Sequence, residues 1–75
     1  MNVTVNKDVL VGKWKQLRGT VKQRWGMLTD NQLDQIDGRY DQLVGAIQEK
    51  YGIAREKAQE QVEEFILSVK DRLGS

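Results

Sequence analysis

The sequence predicts an all-α fold: a small antiparallel helical bundle of three longer helices and one short one. Three observations carry this. Apolar residues recur at helical spacing in three separate stretches, glycines punctuate those stretches, and one helix–glycine–helix unit is written twice. The unit first runs from Gly12 to Gly26 as GKWKQLRGTVKQRWG and returns 26 residues later, from Gly38 to Gly52, as GRYDQLVGAIQEKYG. Gly12, Gln16, Leu17, Gly19 and Gly26 recur as Gly38, Gln42, Leu43, Gly45 and Gly52. Trp14 answers to Tyr40, Trp25 to Tyr51 and Val21 to Ile47, so one physical unit is used twice.

Residues 1–5 alternate polar and β-branched types with no second strand to pair with, and read as a flexible N-terminal tail. The helical domain is expected over residues 6–75. Asn6 is placed to cap a first helix beginning at Lys7, with Asp8 favourable in its first turn. From there Leu10, Trp14, Leu17, Val21 and Trp25 fall within roughly 80° of one another at about 100° per residue, a narrow core-facing stripe. Lys13 and Arg24 flank it on one side and Lys15, Arg18 and Lys22 on the other, where aliphatic stems cover the seam and the charges stay wet. Gly26 is expected to end this helix as a left-handed residue.

Thr29 then caps a short helix, about Asp30 to Asp37. Gln32 completes a capping box, and Leu28 packs on Leu33 as a hydrophobic staple. With only Leu33 and Ile36 to bury, this helix must lie across the longer ones. Gly38 relaxes the chain before the next stripe, Tyr40, Leu43, Val44, Ile47 and Tyr51. That stripe is broader than the first because Val44 stands where the first unit has Arg18, which marks the more central helix. Gly52 closes it. The last helix, about Arg55 to Arg72, presents Ala58, Val62, Phe65, Val69 and Leu73, with Ile66 extending the face and Gly74 stopping it. Tight connections make neighbours roughly antiparallel. The two repeated units are expected to pair with a pseudo-twofold relation, setting Trp14, Trp25, Tyr40 and Tyr51 in or near the core; the competing use of these rings is an exposed platform for bases.

A chain of 75 residues buries only about 60% of the surface its unfolded form exposes, so stability is expected to be modest. Cysteine and histidine are both absent, which removes disulfide staples, thiolate metal sites, thiol nucleophiles and the usual general base near neutral pH. Apolar runs reach only three residues, as at Phe65–Leu67, against about twenty for a spanning helix. The N-terminus lacks the pattern of a secretory signal, and the cytoplasm is the expected location.

Carboxylates at Asp30, Asp34, Asp37 and Asp41 recur every three or four residues, and such a series can bind a divalent ion or raise one pKa. Helix-start positions account for most of them through the dipole alone. The recurring glycines do not make a phosphate loop, because they are spaced seven apart along helices instead of clustered between a strand and a helix. No catalytic, cofactor-binding or metal residues are therefore assigned, and no cofactor or small-molecule substrate is expected. Gly19 and Gly45 fall opposite the stripes, where either a close contact with another molecule or tolerated looseness accounts for them.

Net charge is +1, but residues 1–26 carry +5, residues 27–52 carry −3 and residues 53–75 carry −1. A basic helix packed beside acidic ones explains this, with a nucleic-acid footprint as the alternative.

The pattern from Gly12 through Gly19, then Val21 to Gly26 with Leu28-Thr29-Asp30, then Gly38-Arg39 into Asp41 to Gly45 with Ile47-Gln48 and Tyr51-Gly52, closely resembles the bacterial CsbD-like stress-response family, over about residues 6–66. The more apolar Ile66-Leu67-Ser68-Val69 departs from the charged ends of many members. The resemblance implies a small cytoplasmic helical protein made under general stress, with no established enzymatic activity, cofactor or partner, and it carries over no functional residues. Two function classes follow. One is a non-enzymatic stress protein with a protective or interaction role, monomeric or weakly self-associating; the other is a weak, non-specific nucleic-acid-associated protein using the basic first helix. Pairing of Lys15, Arg18 and Lys22 with acidic residues from later helices would count against the second.

Overall fold

The computed structural model describes the backbone of residues 8–74 and the side chains of residues 8–69. The expected tail and the Asn6 cap lie outside the described residues, and the side chain of the seam position Leu73 lies outside the described side chains. Over the described residues the fold is all-helical: α1 (Asp8–Gly12), α2 (Trp14–Arg24), α3 (Asp30–Ile36), α4 (Tyr40–Tyr51) and α5 (Arg55–Gly74).

The expected first long helix is broken in two at Lys13, whose φ of −119° and ψ of 17° leave the helical region. Gly12 is the weakest helix former of that stretch and sits beside the break. The break has a packing reason. It lets α1 lie against both α5 and the turn at Gly38, where the carbonyl of Leu10 and the Cα of Val11 approach within 3 Å of the place a Cβ would occupy. The four helices expected from the sequence thus become five among the described residues.

The exit from α2 also differs from expectation. Gly26 is not left-handed; among the described residues the glycines with positive φ are Gly38 (81°) and Gly52 (63°). Trp25 ends the helix at φ −122° and ψ 74° with its N–H still bonded to the Val21 carbonyl at 2.8 Å. The Leu28 N–H then returns to the Trp25 carbonyl at 3.0 Å. That turn satisfies the helix end without a left-handed residue.

The start of α3 follows the sequence closely. Gln32 N–H donates to Thr29 Oγ1 at 3.1 Å and Thr29 N–H donates to Gln32 Oε1 at 3.0 Å, a reciprocal capping box. Its other end is closed by Asp37, left-handed at φ 47°, followed at once by left-handed Gly38. Gly52 closes α4 as expected, its N–H bonded to the Gln48 carbonyl at 2.9 Å.

One core cluster joins the helices. Leu10, Trp14, Leu17, Val21 and Trp25 enter it from α1 and α2, Leu33 and Ile36 from α3, Tyr40, Leu43, Val44 and Ile47 from α4, and Ala58, Val62, Phe65, Ile66 and Val69 from α5. Val44 is fully buried, which fits the central place of α4: it packs most extensively on α5 and also against α3. Arg55 and Glu63, eight residues apart, both reach the first turn of α4, through Asp41 and Tyr40, so α5 passes across that turn. Tyr51 is the exception among the four expected core aromatics. It is 37% exposed and its hydroxyl accepts the Met27 N–H at 3.1 Å, a rim position suited to an amphipathic ring.

Candidate functional site

The side chains with chemistry to offer lie mostly on the outside. No polar or charged residue is buried among the described residues. The basic face of α2 meets the acidic start of α3. Arg18 pairs with Asp34, and its other guanidinium nitrogen donates to the Asp30 carbonyl at 3.3 Å and stands 3.9 Å from the Asp30 carboxylate. Lys22 donates to the Leu28 carbonyl at 2.8 Å and sits 3.8 Å from the same carboxylate. Arg24 faces Glu64 at 3.8 Å and lies over the Trp25 ring, 5.5 Å from its centroid. Exposed pairs of this kind contribute only about 0–1 kcal/mol each. Their larger effect is to occupy the cations of α2 with acids from later helices. Lys15 makes no ion pair among the described residues.

The four aspartates singled out by spacing do not converge. Asp30 and Asp34 face Arg18, Asp37 is the left-handed cap of α3, and Asp41 faces Arg55 at 3.7 Å. Among the described residues no three His, Cys, Asp or Glu side chains gather where they could hold a metal ion. Three depressions on the surface of the described residues are open to solvent. One lies between α2 and α5 over Phe65, one beside the break at Lys13, and one between α3 and α4 around Gly45.

Two polar groups at the core boundary were not singled out in the sequence, where each reads only as part of an apolar stripe. The Trp14 indole N–H is buried without a hydrogen-bond partner among the described residues. The Tyr40 hydroxyl donates to Glu63 Oε2 at 2.9 Å. Burial first, then the hydrogen bond to Glu63 and that carboxylate's charge, push the Tyr40 phenol up to about 12. The folded state therefore holds this proton more tightly than the unfolded chain does, where a tyrosine titrates near 10. The resulting stability is complete below about pH 10 and is lost as pH rises through about 12. Urea melts taken across that window should show a loss on the order of 2 kcal/mol that Tyr40→Phe removes. Equal alkaline slopes in the two proteins would refute the assignment.

The family model described as CsbD-like matches residues 8–60, which span α1 to α4 and the start of α5. The chain belongs to the CsbD-like family. This CsbD-like protein is 51% identical over 61 residues to the UPF0337 protein PA4738 of Pseudomonas aeruginosa, covering 81% of this chain and 94% of that protein. It is 57% identical to the UPF0337 protein RB10934 of Rhodopirellula baltica over 61 residues, 81% of this chain and 90% of that one. With a UPF0337 protein of Bordetella pertussis the identity is 49% over 61 residues, 81% and 92% of the two chains. No solved structure matches this CsbD-like protein significantly. Among the described residues, no helix is long and apolar enough to cross a membrane.

Proposed function

We propose that the chain is a non-enzymatic stress-response protein acting in the cytoplasm through its outer surface, as a protective or interaction module. The observation that carries this reading is the apolar interior. Among the described residues, the seventeen buried side chains are all hydrophobic or aromatic and the surface depressions are open, so the polar side chains stand where solvent reaches them and not in an enclosed, partly dry pocket of the kind a catalytic pair needs. The stress association rests on the resemblance to the CsbD-like family. Deleting the gene from its native bacterium should lower survival after osmotic, desiccation or oxidative stress, and the wild-type gene should restore it. Survival equal to the parent strain under all three would sink the reading.

The same reading treats the chain as two versions of one helix–glycine–helix unit, supported by the identities at a 26-residue offset. If Gly19 and Gly45 are solvated, they weaken their helices without helping the core. The space beyond both is open, with nothing within 4 Å of an added Cβ. Gly19→Ala and Gly45→Ala are each expected to stabilise the dilute protein by about 0.5–1 kcal/mol. A loss of stability in denaturant titrations at low micromolar concentration would contradict this.

For nucleic acid we propose at most weak contact, supported by the engagement of Arg18 and Lys22, two of the three cations of that face, with acidic neighbours, while Lys15 has no ion pair among the described residues. Binding to labelled DNA and RNA should be weak, indifferent to base order, and should fade between about 50 and 200 mM salt. Submicromolar affinity persisting at the higher salt, with more than tenfold sequence preference, would move the protein into that class.

A further inference from the structure

The outer faces of α2 and α4 are built on one pattern with opposite charge. At about 100° per residue, Lys15, Gly19 and Lys22 share the solvent face of α2, and Asp41, Gly45 and Glu49 share that of α4. Gly19 and Gly45 are equivalent in the repeat; Lys15 is replaced by Asp41, and Gln23 by Glu49. The second unit thus keeps the glycine, inverts the charge at the Lys15 position, has neutral Gln48 where the first has Lys22, and gains a carboxylate at Glu49. On α4 this face forms one wall of the open depression shared with α3, in which Gln32, Gln35, Gln42 and Glu49 surround Gly45. Lys22 and Asp41 are partly occupied by Asp30 and Arg55. Lys15 and Glu49 make no ion pair among the described residues, and the carboxylate of Glu49 meets the Gln32 amide at 3.5 Å.

We propose that the α2 face of one copy docks on the α3–α4 depression of another, with Gly19 and Gly45 allowing close approach and the Lys15 side meeting the Glu49 side. The occupant is a second copy because each chain carries both members of the complementary pair. Pairing α2 with α2, or α4 with α4, instead sets like charges against each other. A contact between two different faces leaves one of each unused, so assembly extends or closes into a ring. The charges stay at a solvated rim, which makes the association weak and salt-sensitive.

Sedimentation equilibrium of the full chain from about 10 µM to 1 mM tests it, at low salt and at about 0.5 M salt. The wild-type average mass should rise with concentration and fall back with salt. Lys15→Glu and Glu49→Lys should each weaken association roughly tenfold, with unchanged helical circular dichroism. An equimolar mixture of the two variants should regain it, because the carboxylate introduced on the α2 face of one then meets the ammonium introduced on the α4 face of the other, and the unaltered Lys15 and Glu49 faces can pair as in the wild type. Gly45→Leu should abolish association through bulk alone. A wild type that stays monomeric throughout, a mixture that behaves as the sum of its separate variants, or a Gly45→Leu protein that associates like wild type would each overturn the proposal.

Discussion

Trp25→Ala is expected to destabilise the fold by about 3–5 kcal/mol, measured by urea or thermal unfolding. The indole is only 3% exposed at the end of α2, and it is held from two directions by α5. Its ring packs edge-on against Phe65, with centroids 5.3 Å apart and planes at 64°, the geometry an aromatic quadrupole favours. Its N–H donates to Gln61 Oε1 at 3.0 Å. Truncation opens a cavity between α2 and α5 and also leaves the Gln61 carbonyl without its donor. Since a domain of this length has only about 4–11 kcal/mol in total, the variant should be near unfolding at room temperature. A melting temperature within a few degrees of wild type would show that α2 is held by the rest of its stripe without the indole. Trp25→Phe is the milder comparison, because it retains most of the packing while losing the hydrogen bond and part of the ring volume.

The contrast between Trp25 and its repeat partner Tyr51 shows what periodicity can and cannot read. Both residues end an apolar stripe, and spacing alone places both in the core. Trp25 is buried because α5 crosses it; Tyr51 reaches the rim and uses its hydroxyl on the Met27 N–H. The stripe tells which side of a helix is apolar. It does not tell how far along the helix the neighbour extends. The same limit explains the break at Lys13, where the stripe through Leu10 and Trp14 continues in register although the backbone does not. Local chemistry was more legible. The Thr29–Gln32 capping box and the left-handed closure at Gly52 depend only on residues a few positions apart, and both are present. On the surface, the charge asymmetry was readable as a basic helix beside acidic ones. The particular pairs, such as Arg18 with Asp34 and Arg24 with Glu64, depend on how α3 and α5 lie against α2.

Gly38→Ala should be the most damaging of the glycine substitutions, by about 2–4 kcal/mol, for a reason no local pattern contains. The Asp37-Gly38 pair is a readable turn signal after a short helix, and both residues do turn left-handed. What the pair does not announce is its partner. A Cβ on Gly38 would stand 2.7 Å from the Leu10 carbonyl oxygen and 2.8 Å from the Val11 Cα, both backbone atoms of α1 that no side-chain rotation can move aside. Gly52 provides the internal comparison. It has a similar left-handed φ of 63° but nothing within 4 Å, so Gly52→Ala should lose only the conformational part, about 1–2 kcal/mol. Gly45, helical and open, should gain from the same change. Unfolding curves for the three alanine variants should therefore rank Gly38 far below Gly52, and Gly52 below Gly45. Because the clash pushes on α1, Gly38→Ala should also speed amide exchange at Lys13, whose N–H bonds to the Val9 carbonyl at 3.0 Å. Equal losses at Gly38 and Gly52, with exchange at Lys13 unchanged, would mean that α1 does not rest on the turn and that backbone conformation alone sets the requirement for glycine there.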